Sequence, residues 1–162
     1  MQFSAILQLL ILLLIANGTP VIANRILGNR FSCPLDRGVR LADGWRLLGP
    51  SKTGRGLILA ILMTSAAAPV IGLEWQIGSL VGSAAMAGDL LSSFLKRRLG
   101  FLPSTRAVAL DQIPESLFPL LICRPILDLT WVAVVVGVVL FFISELVLSR
   151  VLYHLGVRRQ PY

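Results

Sequence analysis

The sequence predicts an all-α integral membrane protein with five transmembrane helices, an external N-terminus and a cytoplasmic C-terminus. Of its 162 residues, 56% are hydrophobic and only 14% are charged, whereas soluble domains carry about 25% charged residues. Several apolar runs approach the roughly 20 residues that a helix needs to cross a bilayer. The cations collect at the ends of these runs, which is typical of the cytoplasmic flanks of membrane helices.

The apolar runs are expected to form a single membrane domain over residues 1–162. They predict spans at residues 3–23, 56–73, 77–95, 114–127 and 129–150. The fourth span should be short or broken, because Pro119 and Pro125 fall in it and proline cannot donate a backbone hydrogen bond. No Lys or Arg precedes the first run, which argues against a cleaved signal peptide.

The distribution of positive charge predicts the orientation. With five spans, residues 24–55 and 96–113 become cytoplasmic loops. These loops and the C-terminal tail hold fourteen of the fifteen Lys and Arg residues, which leaves Arg124 outside. The net charge of +7 could also suggest nucleic acid. Because the cations flank apolar runs, we instead expect membrane lipids as partners, no nucleic acid, and a multi-pass protein of the inner (plasma) membrane with its chemistry on the cytoplasmic side.

The third span carries a stripe of small residues that ends in an acid. Gly78, Gly82, Ala85 and Asp89 follow one another at intervals of four, three and four, so they share one helix face. Small residues let membrane helices approach closely, and this face should point into the bundle. A carboxylate there is costly. Asp89 is therefore either bonded to a Ser or Lys side chain or a metal ligand at the mouth of a pocket, and Lys96 shares its face.

The first loop, with the sequence ADGWRLLGPSKTGRG, combines glycines with a cluster of Lys52, Thr53 and Arg55. Glycines let backbone N–H groups approach phosphate oxygens, and Lys and Arg supply positive charge. Pro50 and Ser51 separate the preceding glycine from Lys52, so the segment is not a P-loop. A solvated basic loop is the alternative, although loops of this length are usually functional or disordered.

Two further segments carry polar residues of interest. In LDQIPESL, Asp111 and Glu115 either simply flank a helix start with Pro114 in its first turn, or Asp111 supplies a second carboxylate to a metal near Asp89 of the third span. In ANGTPVIAN, Asn17 and Asn24 lie seven residues apart on one helix face. Pro20 lies between them and is expected to kink that helix.

Taken in order, these segments resemble the CDP-archaeol synthase family over nearly the whole chain. The resemblance rests on DGWRLLGPSKTGRGLI, GDLLSSFLKRRLG with GSL upstream, LDQIP, and Asn17, Pro20 and Asn24. It implies Mg²⁺-dependent transfer of CMP from CTP to a lipid phosphate, with CDP-lipid and pyrophosphate as products. Pro50 and Gly54 depart from the archaeal pattern in the manner of bacterial-type relatives. The acceptor is thus either archaetidic-acid-like or phosphatidic-acid-like.

The resemblance, with the chemistry of the side chains, also implies roles. Mg²⁺ is expected on Asp89 and Asp111. The residues expected to be catalytic are Asp89, Lys96 and Lys52. Phosphate groups of CTP are expected on Lys52, Thr53, Arg55, Lys96 and Arg97. Asp43 is a candidate for metal or ribose, and Asn17 and Asn24 are expected to line the nucleotide cavity.

Other classes of function remain possible at this point. A small transporter or channel could use Asp89 as an ion site and Pro20 as a helix break, and a non-catalytic membrane assembly protein would need neither. A CDP-alcohol phosphotransferase would share Asp43-Gly44 but would need later paired aspartates that this sequence lacks. The two polar loops on one side favour catalysis over transport.

Overall fold

The fold is a bundle of five α-helices, seen in a computed structural model that describes residues 2–28, 30–102, 107 and 109–154. The helices are α1 (Gln2–Leu27), α2 (Gly54–Ala67), α3 (Trp75–Arg98), α4 (Gln112–Cys123) and α5 (Trp131–His154). The predicted all-α class and the number of helices are confirmed. The predicted loop and tail cations Arg106, Arg158 and Arg159 lie outside the described residues.

Among the residues that the structure describes, four helical segments are long and apolar enough to cross a membrane: α1, Gly54–Ile71, α3 and α5. The second of these is α2 followed by a single 3₁₀ turn at Pro69–Ile71, because Pro69 cannot continue the α-helical hydrogen bonds. Helix α4 has 12 residues, a length of about 18 Å against a hydrocarbon core of about 30 Å. The fourth span is therefore short, as predicted.

Glycines set the helix contacts around α3. A Cβ atom added at Gly78 or Gly82 would overlap Thr64 of α2, so the predicted stripe of small residues does bring α3 against α2. On another face of α3, a Cβ atom at Gly88 would overlap the carbonyl oxygen of Pro114 and lie 2.7 Å from the Cα atom of Glu115. Gly88 thereby lets the backbone of α4 touch α3 directly, one residue before Asp89.

The two ends of the bundle differ in character. At one end, the Gln8 side chain donates to the carbonyl of Ile71 (2.7 Å), and Thr130 donates to the side chain of Gln2 (2.9 Å). The two polar loops lie together at the other end, where α3 finishes with its three cations. Which end faces the cytoplasm stays a prediction from the distribution of charge.

Candidate active site

The first loop and α3 meet through an ion pair at the polar end of the bundle. The Nζ atom of Lys52 lies 2.5 Å from both carboxylate oxygens of Asp89. The two side chains are 22% and 26% exposed, so the pair is open to a ligand. Of the two interpretations of Asp89 from sequence, the structure shows the carboxylate bonded to a lysine, and that lysine is one predicted to bind phosphate.

The backbone of the first loop holds Lys52 in place. The N–H group of Leu35 donates to the carbonyl of Lys52 (2.8 Å), and Pro34 pairs with Thr53 in an isolated antiparallel bridge. Thr53 then caps α2, because its Oγ1 accepts from the N–H group of Gly56 (3.2 Å). Lys52 is thus fixed between a backbone pairing and the first turn of a helix, which directs it towards α3.

A buried carboxylate, Asp36, organises the rest of this loop. Its side chain accepts hydrogen bonds from Arg46 and from the backbone N–H groups of Gly38 (3.0 Å), Leu48 (3.3 Å) and Gly49 (2.9 Å). Burial by itself raises the pKa of Asp36, but Arg46 and these N–H donors outweigh burial and hold the pKa well below its ordinary value. Asp36 is therefore ionised and part of the loop framework.

A second ion pair joins α3 to the second loop. The Nζ atom of Lys96 lies 2.8 Å from Oδ1 of Asp111, with side-chain exposures of 12% and 23%. Between the two ion pairs, Ser92 of α3 donates to the carbonyl of Gly88 (2.9 Å) and lies 3.4 Å from the carbonyl of Asp111. Asp89, Ser92 and Lys96 share one face of α3, so this face gathers both loops around two carboxylates and two amines.

The acid Glu115 completes this polar layer from α4. Its side chain is 7% exposed and interacts electrostatically with Asp89, Lys52, Glu145 and Asp111. The contact at Gly88 places the α4 backbone at Glu115 directly against α3, one residue before Asp89, because no side chain keeps the two backbones apart.

Other predicted residues lie away from these two ion pairs. Arg55 donates to the Oδ1 atom of Asn24 (3.2 Å) and to the carbonyl of Gly28 (3.1 Å), and so joins the end of α1 to α2. Both amide atoms of Asn17 are buried and have no hydrogen-bond partner among the described residues. Asn17 and Asn24 therefore differ, since the first is polar and unpaired and the second braces the helix ends.

The remaining two predicted residues contact other parts of the first loop. Asp43 pairs with Arg98 (2.5 Å) at the exposed edge of the loop. Arg97 is 3% exposed, and its guanidinium donates to the carbonyls of Leu48 (3.3 Å) and Phe101. The structure thus brings Lys52, Asp89, Lys96 and Asp111 to one face of α3 and places Asp43 and Arg97 further along.

The donor set is compatible with Mg²⁺ but does not form a complete protein cage. Within the described ranges, no group of three or more His, Cys, Asp and Glu side chains is close enough to hold a metal ion. Mg²⁺ usually takes one or two carboxylates, several waters and phosphate oxygens of the substrate. Asp89 and Asp111 are partly exposed carboxylates that each pair with one flexible amine, which suits such a shared site.

Sequence reasoning missed three residues that shape this region: Asp36, Gly88 and Glu115. The spacing Asp36-x-Gly38 is a signal for a local turn in which a carboxylate accepts from the second N–H group ahead. Gly88 is adjacent to the small-residue stripe, but it lies on a different helix face. The sequence indicates only that Glu115 flanks a helix start, because its position beside α3 depends on how α4 packs.

Comparison with known proteins agrees with the family resemblance that the sequence segments showed, and it covers nearly the whole chain. The family profile described as CarS-like, CDP-archaeol synthase, matches residues 3–162. A CDP-archaeol synthase of Aeropyrum pernix is 36% identical, over 97% of this chain and 92% of the relative. One of Sulfurisphaera tokodaii is 32% identical, over 92% and 90%. A solved structure of an intramembrane enzyme for archaeal membrane lipids biosynthesis matches with a TM-score of 0.70 at 30% identity, over 85% of this chain and 90% of that one.

Proposed function

The chain belongs to the CDP-archaeol synthase family, and from this premise we propose that the two ion pairs, Lys52–Asp89 and Lys96–Asp111, form its active site. The protein is a multi-pass membrane enzyme, a CTP-dependent cytidylyltransferase that acts on a lipid phosphate in membrane lipid synthesis. Because the chain belongs to a family of enzymes, the transporter, channel and assembly-protein alternatives are set aside. The relation to bacterial-type members stays a prediction.

The reaction sets two physical requirements for such a site. A phosphate monoester has a second pKa near 6, so the lipid acceptor is largely a dianion at neutral pH and needs no strong base. Its obstacle is repulsion from an equally negative triphosphate. Catalysis of this kind depends on positioning the two anions and on stabilising charge, and a cluster of amines and carboxylates at a loop–helix junction suits that task.

The observation that carries the proposal is the double contact of Lys52 with Asp89. Each carboxylate pairs with one amine, and all four side chains keep some solvent exposure. A nucleotide phosphate can therefore reach Lys52 and Lys96 and replace Asp89 and Asp111 as their partner, because phosphate oxygens form strong charge-assisted bonds with amines. The carboxylates then become available to Mg²⁺, which when bound supplies charge neutralisation on the phosphates.

The remaining residues supply binding and position. Thr53 and Arg55 stand at the start of α2, whose N-terminal N–H groups follow Lys52 directly and favour negative charge. Asn24 holds Arg55 against the end of α1. We expect Asn17 to line the nucleotide cavity, since its amide atoms are unpaired. We place Asp43 at the periphery, and the site on the cytoplasmic side of the plasma membrane.

The direct test is synthesis of CDP-lipid by the purified protein. Protein in detergent is incubated with labelled CTP, Mg²⁺ and lipid phosphates with ether-linked or ester-linked chains. We expect CDP-lipid and pyrophosphate to form with at least one acceptor, and omission of Mg²⁺ to abolish product. Well-folded protein that gives no product with any acceptor would contradict the assigned activity, and full activity after chelation would remove the metal from the proposal.

Lys52→Ala tests the site itself. The KM for CTP should rise by about tenfold or more, because a phosphate loses its charged partner. Arg37→Ala is the matched control, since Arg37 is an exposed cation of the same loop and should leave the KM unchanged. Equal effects of the two variants would assign the result to overall loop charge, and no effect of Lys52→Ala would move the phosphate site elsewhere.

A further inference from the structure

The side chain of Arg124 lies at the end of the bundle opposite to the two ion pairs. Arg124 directly follows the last residue of α4, and in the predicted orientation it is the one Lys or Arg on the external side. We propose that Arg124, together with Trp131, binds the phosphate group of an anionic membrane phospholipid. This lipid is not the acceptor of the reaction, because the site lies at the other end of the bundle.

The guanidinium of Arg124 is held against the ring of Trp131. Its Cζ atom lies 4.1 Å from the centroid of the ring, which is the distance of a cation–π contact. Trp131 is the first residue of α5, and Thr130 caps this helix by accepting a hydrogen bond from the N–H group of Ala133 (3.2 Å). The guanidinium is thus positioned before a ligand arrives, which lowers the side-chain entropy lost on binding.

The charge of Arg124 has no counter-ion within the part of the chain that the structure describes. Its side chain makes no hydrogen bond and no ion pair there, and its Nε–H group is buried without an acceptor. The acid next along the chain, Asp128, does not pair with it. A buried donor without an acceptor is unfavourable, and a negatively charged oxygen would satisfy both the donor and the charge.

Phosphate has the geometry for this guanidinium. The Nε–H group and a neighbouring Nη–H group form a planar fork that matches two oxygens of one phosphate. The opposite face of the requirement is met by the stacked ring, which fixes the plane of the fork. A phosphate in that plane would give the buried Nε–H group its acceptor.

The surroundings favour a phosphate that belongs to a lipid. Ile126, Trp131 and Val132 are exposed apolar side chains next to Arg124 in the chain, and Val135 continues this surface along α5, a helix that is apolar enough to span a membrane. Tryptophan is also typical of the membrane–water interface. A headgroup with its own cation would place like charge beside Arg124, so the site favours an anionic phospholipid.

The packing of α4 places Arg124 near a membrane boundary. Gly88 of α3 contacts Pro114 at the start of α4, and it lies about 20 Å along the helix axis from Trp75, where α3 begins. Helix α4 runs antiparallel to α3 for 12 residues, which is about 18 Å. Arg124 therefore lies close to the level of Trp75, and the neighbouring Thr130 reaches Gln2 at the start of α1.

The test measures lipid binding without any reaction, so its result does not depend on CDP-lipid synthesis. The full chain is purified in an uncharged detergent without CTP or Mg²⁺, and the Trp131 contribution to the fluorescence is obtained by comparison with Trp131→Phe. Phosphatidylglycerol is added in one arm, diacylglycerol with the same acyl chains in a second, and inorganic phosphate in a third. We expect a saturable Trp131-dependent change with phosphatidylglycerol and at least about tenfold weaker responses in the other arms.

Variants make the result specific to Arg124. Arg124→Gln should raise the phosphatidylglycerol concentration at half-response by about tenfold, because it removes the charge. Arg124→Lys should also weaken the response, since lysine keeps the charge but lacks the fork. Arg150→Gln is the matched control, because Arg150 is an exposed cation towards the other end of α5, and it should respond like the wild type.

The possible contrary results have distinct meanings. The proposal is overturned if phosphatidylglycerol gives no saturable Trp131-dependent change, or if folded Arg124→Gln and Arg124→Lys both respond like the wild type. An equal response to diacylglycerol would reduce the site to an apolar contact with acyl chains. An equal response to inorganic phosphate would assign it to a free anion, and either result would also overturn the proposal.

Discussion

Two carboxylates that bond to the first loop, Asp36 within the loop and Asp89 on α3, are used in opposite ways. Asp36 is 4% exposed and receives hydrogen bonds from one guanidinium and three backbone N–H groups. Asp89 is partly exposed and is contacted by the single amine of Lys52. A fully bonded carboxylate is suited to holding structure together, whereas a partly exposed one with a single side-chain partner can exchange that partner for a ligand.

The parts of the first loop around Asp36 and at Lys52 differ in the same way. Around Asp36 the backbone itself provides the donors, so this part of the loop is a rigid framework. At Lys52 the framework ends, and a long flexible side chain reaches across to α3. A site that must bind a polyanion and release pyrophosphate needs both properties, because the framework sets the position of the amine and the flexible side chain lets the amine move.

Asp89→Asn should have the largest effect on turnover. The amide keeps the shape of the side chain but removes the charge that we assign to Mg²⁺ and Lys52, and we expect turnover to fall by about 100-fold or more. The measurement is CDP-lipid formation at saturating CTP, with thermal unfolding in detergent as the check on folding. A folded variant with wild-type turnover would show that the charge of Asp89 is not needed for the reaction, and that Asp89 does not differ from Asp36 in the proposed way.

Gly88→Ala should disturb the surroundings of Asp89 through the packing of α4 against α3. The new methyl group would overlap the Pro114 carbonyl, so α4 must move, at a cost of about 1–3 kcal/mol in stability. Because Asp111 and Glu115 move with α4, turnover should fall as well. Gly18→Ala is the matched control, since no atom lies within 4 Å of the added methyl group, and it should leave both quantities close to wild type.

If Gly88→Ala and Gly18→Ala behave alike, the close contact between α3 and α4 does not contribute to the site. If Gly88→Ala lowers stability but leaves turnover unchanged, the position of α4 matters for folding alone. Either result would restrict the active site to α3 and the first loop.

Asp36→Asn should mainly lower stability. Loss of a charged acceptor for Arg46 and backbone donors should cost about 2 kcal/mol, measured by thermal unfolding and by proteolysis within the loop. Asp43→Asn is the control, because the pair of Asp43 with Arg98 is more exposed and should contribute less. A larger effect of Asp43→Asn would show that Asp36 is not the centre of the framework.

The pH dependence of the framework follows from the same contacts. The pKa of Asp36 is lowered from 3.8 in the folded protein, so the unfolded chain binds the proton more readily. The stabilisation is therefore complete above about pH 4 and is lost progressively as the pH falls below that value. Acid should release the loop in the wild type, and Asp36→Asn should show a weaker dependence in this range.

Much of the architecture could be read from the sequence because it depends on local composition. Apolar runs predicted the helices, and two prolines, Pro119 and Pro125, predicted that the fourth would be short. The interval of small residues predicted that α3 packs closely, with Asp89 on the same face. Lys52, Lys96 and Asp111 were also candidates from the sequence, since amines bind phosphate and carboxylates bind Mg²⁺.

Only the tertiary structure decided which of these charges meet. Lys52 and Asp89 are 37 residues apart, and their contact depends on the loop folding around Asp36, whose neighbours in sequence give little sign of burial. The approach of Glu115 to Asp89 likewise depends on Gly88 admitting the α4 backbone. Composition and spacing act locally and fix helices and faces, whereas long-range pairings are selected only when backbone hydrogen bonds and packing are satisfied together.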